Sequence, residues 1–578
     1  MKAKAATKNA AVIDRSFWRF HLVWVLLALL GGLLVARIIM LQLVDTDRGH
    51  QFLKDQGDAR AIRTVEIQAH RGMIADRNGE PLAVSTPVFS IWANPRRFVA
   101  SKTDIAALAK ALGLPIEKLT KKLESPGSKQ FLYLRRQVPP PIATEILDLD
   151  IEGIYARREF KRYYPAGEVS AHLVGFTDVD EKGQEGVELA YNEFLESHAG
   201  AKQVVKDLRG RTIGEIKQIK EAQPGGDLQL SIDLRIQYAA YRALKQTVSD
   251  FDAAGGSVVV LDVKTGEILA LASQPAYNPN NRSLMKVANL RNRAITDVFE
   301  PGSTVKPFTV LAALESGLYT PDTIIDTHPG YIRVGRKTFE DHHNYGPLNV
   351  TQIITKSSQV GTTKIALSLD PEQIRETFYR LGLGQASGTG FPGEALGVMP
   401  SRRHWRDIER ANFAFGYGLS VTTLQLAQAY QVVANGGYKM PLSLLKLEQP
   451  AQAELVVEPL LAKQIRSMLE TVGQQGGTAA KAQVEAYNFA GKTGTVHKVG
   501  ASGYDPHRYM SLFAGMAPVN DPRLVGVVVI DDPKGDKYYG GLVAAPIFSQ
   551  VIAKALPLLN ARPDKLDDFS VMPLIGQR

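Results

Sequence analysis

The stretch Phe299-Glu300-Pro301-Gly302-Ser303-Thr304-Val305-Lys306 decides how this chain is read. Pro301 and Gly302 break the structure before them, and Ser303 opens a run through Ser316 whose apolar character predicts a helix, with Pro307 tolerated in its first turn. Gly317 is placed to end that helix. Residues three apart share one helix face, so the Ser303 hydroxyl and the Lys306 amine can meet. A serine hydroxyl is a poor nucleophile at neutral pH and needs a neighbouring base. Lysine can serve only where burial or a second cation lowers its pKa. The helix N-terminus also aims amide donors at developing negative charge.

Alone, the S-x-x-K pattern is weak, because Ser283-Leu284-Met285-Lys286 and Ser443-Leu444-Leu445-Lys446 match it equally. Neither has the Pro-Gly break and the long apolar run behind it, so both read as ordinary surface or strand residues. Order along the chain singles out Ser303. Lys356-Ser357-Ser358-Gln359 follows, with Ser357 54 residues beyond Ser303, and Lys492-Thr493-Gly494-Thr495 begins 135 residues beyond Ser357. An earlier Lys264-Thr265-Gly266 lies between two β-branched runs, where turn chemistry explains it. Lys492 precedes a Thr-rich strand, and Gly494 is expected to let a substrate backbone approach the strand edge.

The 578 residues, 44% hydrophobic and 22% charged, predict two or more packed domains and exclude a low-complexity or mostly disordered chain. With no cysteine, the chain has no disulfide framework, thiolate metal site or cysteine nucleophile. Of the net charge of +9, much comes from Lys2, Lys4, Lys8, Arg15 and Arg19 set against Asp14. The remainder fits a solvated surface, and no nucleic-acid partner is expected. Asp341, His342 and His343 invite a metal reading, but adjacent histidines point apart and no further ligands are spaced to join them, so a solvent loop is expected. Tyr417, Tyr504, Tyr538 and Tyr539 read as packing residues, with an aromatic wall beside the site as the alternative.

Between Arg19 and Arg37 lie 17 residues without a charge, and Ile38 to Val44 continues the apolar character. As a helix those positions span roughly 26 Å against a hydrocarbon core of about 30 Å, a gap the flanking arginines close by snorkelling. Trp18 and Trp24 supply interfacial aromatics. A cleaved signal peptide is the alternative, but the apolar run is long and more of it follows where a mature chain would begin. Residues 21–44 are therefore expected to be an uncleaved anchor. The basic tail, 1–20, is placed in the cytoplasm and everything beyond Val44 outside it.

Beyond the anchor, Arg71 to Ser85 predicts two short strands about an Asn78-Gly79 turn, and residues 102 to 124 predict a helix. The basic block Arg157 to Ala166 reads as a polar face over packed tyrosines, and Gln223 to Asp227 as a domain junction. Gly256 to Asp262 with Glu267 to Ser273 predicts one hairpin, and Met510 to Ala517 with Leu524 to Ile530 another, followed by a helix over Ala545 to Leu558. If the two hairpins pair, one largely antiparallel sheet is assembled from both ends of the segment, with a helix-rich middle packed against it. The expected domains are a pedestal over 45–225, a catalytic domain over 226–560 and a loose tail over 561–578.

Together these elements resemble the penicillin-recognising serine enzymes, defined by S-x-x-K, S-x-N and K-T-G motifs in this order. Arg71-Gly72 with Asp76-Arg77-Asn78-Gly79, Tyr163-Tyr164-Pro165-Ala166-Gly167, Gly186-Val187-Glu188, Ser231-Ile232-Asp233 and Phe415-Gly416-Tyr417-Gly418 are similar to class B penicillin-binding proteins. The HLVGFTD run from His172, GFPGE from Gly390 and Tyr539-Gly540-Gly541 are most like the division-specific, FtsI-type transpeptidases of that class. The resemblance implies an α+β penicillin-binding transpeptidase fold, an antiparallel sheet flanked by helices, with a mixed N-terminal pedestal of the dimerisation type and one transmembrane helix. It implies a single-pass protein of the bacterial inner membrane whose bulk lies in the periplasm.

It also implies D,D-transpeptidation at the division septum and covalent trapping by β-lactams. Carried over residue by residue, Ser303 attacks the penultimate D-Ala carbonyl of a stem pentapeptide and Lys306 takes its proton. Ser357 relays a proton to the leaving amine, and Lys492 biases the field and helps keep Lys306 neutral. Gln359, Thr493, Gly494 and Thr495 bind substrate, and the backbone amides of Ser303 and Thr495 form the oxyanion hole. No cofactor is required. An FtsW-like glycosyltransferase and other division proteins are the implied partners. One position departs from the pattern: the middle motif normally ends in Asn, and Gln359 carries the same amide about 1.5 Å farther out. Sidewall elongation, a catalytically weak scaffold of the division complex and a secreted β-lactamase are the competing readings. The last lacks any use for the anchor and pedestal, or an evident carboxylate to activate a deacylating water.

Overall fold

The computed structural model describes residues 17–43, 62–124, 130–206, 212–500 and 503–565. Most of the expected cytoplasmic tail, Val44 of the anchor and the last part of the C-terminal tail lie outside the described residues. By its internal contacts the chain divides into two units, residues 1–69 with 198–223, and residues 70–197 with 224–578.

The first unit holds helix Phe17–Leu43, which is long and apolar enough over Phe17–Met40 to cross a membrane, and none of that stretch is buried in protein. It also holds an antiparallel sheet in which Gly200–Lys206 lies between Ile62–Ile67 and Thr212–Lys220.

In the second unit, Ile74–Ala75 and Pro81–Ala93 pair about the expected Asn78-Gly79 turn. Asp76 closes it, its carboxylate accepting from the Asn78 and Glu80 amides at 2.7 and 2.9 Å. The helical stretch read over 102 to 124 is two helices, Lys102–Leu112 and Ile116–Glu124. Gly113 stops the first in the left-handed region at φ +61°, and Pro115 then cannot continue it. Strand Ile154–Tyr163 pairs along Pro81–Ala93. The basic block presents Arg158 and Lys161 to solvent with Tyr164 packed beneath, as read, but Arg162 is buried. Arg162 and Arg71 grip the two oxygens of buried Glu188 at 2.6 and 2.7 Å, and Arg71 also donates to the Glu188 carbonyl at 2.8 Å.

The two predicted hairpins form and join. Gly255–Asp262 pairs with Ile268–Gln274, Gly503–Ala517 with Leu524–Asp531, and Leu524–Asp531 with Gly255–Asp262, all antiparallel. Strand Ala490–Gly500 adds to Gly503–Ala517 and is one edge of this five-stranded sheet, Ile268–Gln274 being the other. Gly255–Asp262, Ile268–Gln274 and Leu524–Asp531 are buried on both faces, which is why they read as continuous apolar runs without alternation. Gly256 faces Leu244 of helix Leu234–Asp250, while its neighbour Ser257 bonds Thr423 of helix Thr423–Ala434 at 2.8 Å. Successive strand residues point to opposite faces, so these two helices cover opposite sides of the sheet. Ala545–Leu558 packs beside the first of them.

Between the hairpins, Gly302–Val305 forms a 3₁₀ turn that leads into helix Lys306–Glu315, ended as expected near Gly317 at φ +73°. A 3₁₀ turn eclipses residues three apart, so Ser303 and Lys306 are aligned more closely than in the α-helix expected from Ser303 onward. The first residues after Asn560, read as a loose tail, are pinned: Asp564 accepts from the Asn488 and Val519 amides at 2.6 and 3.1 Å.

Removing Glu188 would leave two buried guanidinium groups facing each other, which costs about 3–5 kcal/mol. In chemical denaturation Glu188→Ala is expected to lose that much stability or fail to accumulate, while Ser283→Ala on an exposed turn stays within about 0.5 kcal/mol of the wild type.

Candidate active site

A cleft of about 790 Å³ opens along the edge strand, and Ser303, Ser357, Gln359, Thr493 and Thr495 all line it. The three sequence motifs, more than a hundred residues apart at their extremes, meet at this one surface. Neither competing S-x-x-K does so. Ser283 sits on an exposed turn bonded to Asn281, and Ser443 folds back on the Leu445 carbonyl. Lys264-Thr265-Gly266 is a hairpin turn closed by the Asp262 carboxylate, as its sequence suggests.

The turn that presents Ser303 is held from behind. The Gly302 amide donates to the Gly416 carbonyl at 3.2 Å, Tyr430 donates to the Thr304 carbonyl at 2.7 Å, and Thr309 donates to the Ala414 carbonyl at 2.5 Å. Gly416 has φ +88°, and a Cβ there would stand 2.4 Å from the Gly302 oxygen. The Phe415–Gly418 segment is thus a backbone brace for the nucleophile. Gly494 has a related cause in the fold, beside the substrate role expected of it. A Cβ at 494 would meet the Thr304 side chain at 2.9 Å and the Pro301 carbonyl at 3.3 Å, so the glycine lets the nucleophile turn seat against the edge strand.

Lys306 is completely buried, and its amine donates to the Ser357 carbonyl at 2.6 Å and to the Ser357 hydroxyl at 3.3 Å. Ser357 reaches it because it caps helix Val350–Lys356 in the left-handed conformation, φ +57°, which a serine adopts only under constraint. Asp341 supplies the constraint. Its carboxylate accepts from the Ser358 hydroxyl at 2.6 Å and from the Gln359 and Val360 amides at 2.5 and 3.2 Å. The stretch read as a solvent loop therefore contributes a clamp on the second motif. No local pattern announced it, since the clamp closes between segments separated in sequence.

Burial pushes the Lys306 amine down to about 7, against the opposing pull of the Asp341 carboxylate. Lys492, equally buried, is pushed well below the ordinary lysine range, first by burial and then by the charge of Lys306. With its pKa lowered to about 7, Lys306 is in part uncharged at neutral pH, so a proton-accepting amine is available next to Ser357. Thr495 accepts from the Gly540 amide at 3.0 Å, which leaves its own hydroxyl proton for a ligand. Thr493 shares a hydrogen bond with Thr478 at 2.8 Å. Gln359 lines the cleft, and its side chain makes no hydrogen bond to another described residue.

The aromatic alternative is realised in part. Tyr417, Tyr538 and Tyr539 line the cleft, with Tyr509 stacked on Tyr538 at 3.8 Å and Tyr538 on Tyr539 at 4.7 Å. Tyr504 instead donates to Glu300 at 3.1 Å, and the same Glu300 oxygen accepts the Gly418 amide at 2.7 Å. His497 also lines the cleft. Strand alternation from Thr493 through Thr495 was the available signal for it.

A nucleophile turn at the edge of an antiparallel sheet, a buried lysine beside it and a Lys-Thr-Gly strand opposite define a penicillin-binding transpeptidase. The family described as "Penicillin binding protein transpeptidase domain" matches residues 256–553, and "Penicillin-binding Protein dimerisation domain" matches 66–230. The chain is 43% identical to the "Probable peptidoglycan D,D-transpeptidase PbpC" of Pseudomonas aeruginosa over 96% of its own length and 98% of the relative. It is 42% identical to "Peptidoglycan D,D-transpeptidase FtsI" of Escherichia coli strain K12, over 98% and 95%. Among solved structures, a peptidoglycan synthetase from Bifidobacterium adolescentis superposes with a TM-score of 0.68 at 27% identity, covering 87% of this chain and 97% of that one. The transpeptidase domain of penicillin-binding protein 3 from Burkholderia pseudomallei gives 0.54 at 41% identity, covering 58% and 97%. The chain belongs to the class B penicillin-binding proteins and within them is most like FtsI.

A base that must be uncharged gives a defined pH profile. Acylation by a fluorescent penicillin, measured in single turnovers from pH 5.5 to 8.5, should fall about tenfold per unit below pH 7 and level off above it. Asp341→Asn removes the charge that favours protonated Lys306, so its acid limb should move to lower pH while the plateau drops.

Proposed function

We propose that this chain cross-links peptidoglycan at the division septum through an acyl-enzyme on Ser303. The observation that carries the reading is Lys306: a lysine wholly removed from water, pushed down to about 7, one turn from Ser303 and bonded to Ser357. Neutral Lys306 takes the Ser303 proton as the hydroxyl oxygen bonds to the carbonyl carbon of the penultimate D-Ala. The carbonyl oxygen becomes an anion facing the amides of Ser303 and Thr495. Collapse of that intermediate breaks the peptide bond, and Ser357 passes the proton from Lys306 to the departing D-Ala amine. Thr493 and Thr495 hold the terminal carboxylate with Gly494 between them, Gln359 holds the donor amide, and Lys492, buried like Lys306, biases the field at the site. The amine of a neighbouring stem then attacks the ester carbonyl, losing a proton to Lys306, and as the ester bond to Ser303 breaks that proton passes from Lys306 to the serine oxygen.

The remaining assignments rest on the class and on the N-terminal helix. Residues 21–44 anchor the chain in the inner membrane with residues 1–20 cytoplasmic, 45–225 form the pedestal, 226–560 the transpeptidase domain, and 561–578 the tail. β-Lactams acylate Ser303, and an FtsW-like glycosyltransferase with other division proteins are the partners. The septal role is supported by the relative named FtsI.

Labelling of the full chain by a fluorescent penicillin is expected at one site, mapped by mass spectrometry to Ser303 and lost in Ser303→Ala. A wild-type chain that never labels would select the scaffold reading. A displacement of order 1 Å at a reacting group costs about a hundredfold, so Gln359→Asn should raise the acylation rate by at least tenfold. An unchanged rate would show that the longer amide already reaches its target.

A further inference from the structure

We propose that Lys481 is a specificity-determining residue for the acceptor, recognising a carboxylate carried beyond the amine that resolves the acyl-enzyme. This role rests on the proposed acylation of Ser303. The donor ends at its terminal carboxylate, held by Thr493 and Thr495, but the cleft does not. Thr478 bonds Thr493 at 2.8 Å, and from there Gly477, Thr478, Ala480, Lys481 and Gly541 carry the wall of the cleft past the carboxylate site. No part of the donor occupies that end.

The acceptor does. Its amine forms the bond that the D-Ala amine has broken, and the Ser357–Lys306 relay that hands a proton to the departing amine is the one that removes it from the arriving amine. The acceptor therefore enters from the side that D-Ala has left, and whatever it carries beyond its reacting carbon extends past Thr493 into the open end. Gly477 and Ala480 leave room there, and Gly541 is required by the wall itself, since a Cβ on it would stand 2.3 Å from the Thr478 carbonyl oxygen.

The charge at this end is positive and unspent. Lys481 lines the cleft and makes no hydrogen bond or ion pair with another described residue. Lys356, on the adjoining wall, donates to the Gly476 carbonyl at 3.0 Å, and no described carboxylate neutralises it. Of the two carboxylates that line the cleft, Asp341 is committed to Ser358, Gln359 and Val360, and Glu340 precedes it on strand Lys337–Glu340, so both belong to the clamp segment. The turn that bears Lys481 is fixed on both sides of it. The Ala479 amide donates to the Val472 carbonyl at 3.1 Å, the Ala482 amide to the Ala479 carbonyl at 2.9 Å, and the Gln483 side chain to the Gly473 carbonyl at 2.7 Å, with Ala482 wholly buried. A flexible stem on a fixed base brings a point charge to a carboxylate without moving the backbone.

The test uses the full chain, a thioester donor that acylates Ser303 with release of a thiol, and two competing D-amino acid acceptors, D-2-aminoadipate and D-norleucine. Both keep an α-carboxylate that can replace that of D-Ala at the threonines, and their side chains, equal in length, end in a carboxylate and a methyl group. Thiol release reports acylation, and the ratio of the two amide products reports the acceptor alone. Relative to the wild type, the aminoadipate-to-norleucine ratio should fall about threefold in Lys481→Gln, the worth of one partly exposed ion pair. It should fall further in Lys481→Glu and be retained in Lys481→Arg. Thiol release at the wild-type rate shows that each variant is folded. An equal ratio in wild type and Lys481→Gln overturns the assignment, as does slower thiol release in that variant, which would put the lysine on the donor carboxylate. If neither the thioester nor a penicillin acylates Ser303, it is the transpeptidase reading that fails.

Discussion

Two lysine amines share a dry pocket in which one positive charge is the most that neutral pH allows. This constraint organises the catalytic unit. Burial supplies the driving force on both, and the charge of one deepens the shift of the other. The arrangement costs stability, since a solvated lysine would keep its proton; the fold holds it through elements that do no chemistry. The long apolar helix behind Lys306 and the helix crossing the sheet at Thr423 keep water out, and the sheet edge brings Lys492 in from the other side.

Around that pocket the reactive groups sit on backbone made unusual by identifiable neighbours. Ser303 stands on a 3₁₀ turn seated against glycines, and Ser357 in a left-handed cap enforced by the Asp341 clamp. Both serines are fixed by main-chain geometry rather than by long side-chain contacts. Small displacements of the brace at Phe415–Gly418 or of the clamp at Asp341 therefore translate directly into displacement of reacting atoms.

Much of this was legible beforehand. The paired hairpins announced themselves as β-branched runs about turns, and the order of the three motifs separated Ser303 from two equal matches elsewhere. What escaped was non-local or backbone-driven. The break between the two helices at Gly113 was hidden by apolar spacing that continued across it. Arg162 looked like surface because its partner Glu188 lies in another segment. Asp341 gave no pattern because it caps a helix it does not adjoin, and nothing local revealed Thr304 packed against Gly494. Burial of Lys306 could be required by chemistry, but only the packed helix shows it achieved.

The order of strands in the central sheet has a kinetic consequence. Its central strand, Leu524–Asp531, pairs with Gly255–Asp262, so the sheet cannot close until almost the entire polypeptide has been synthesised. Contacts of such large sequence separation form late and slowly. At about 5–20 residues per second, tens of seconds pass between the appearance of Ser303 and that of its last neighbours. A nascent chain is chemically silent for that interval, and the reactive hydroxyl is born only together with the finished domain.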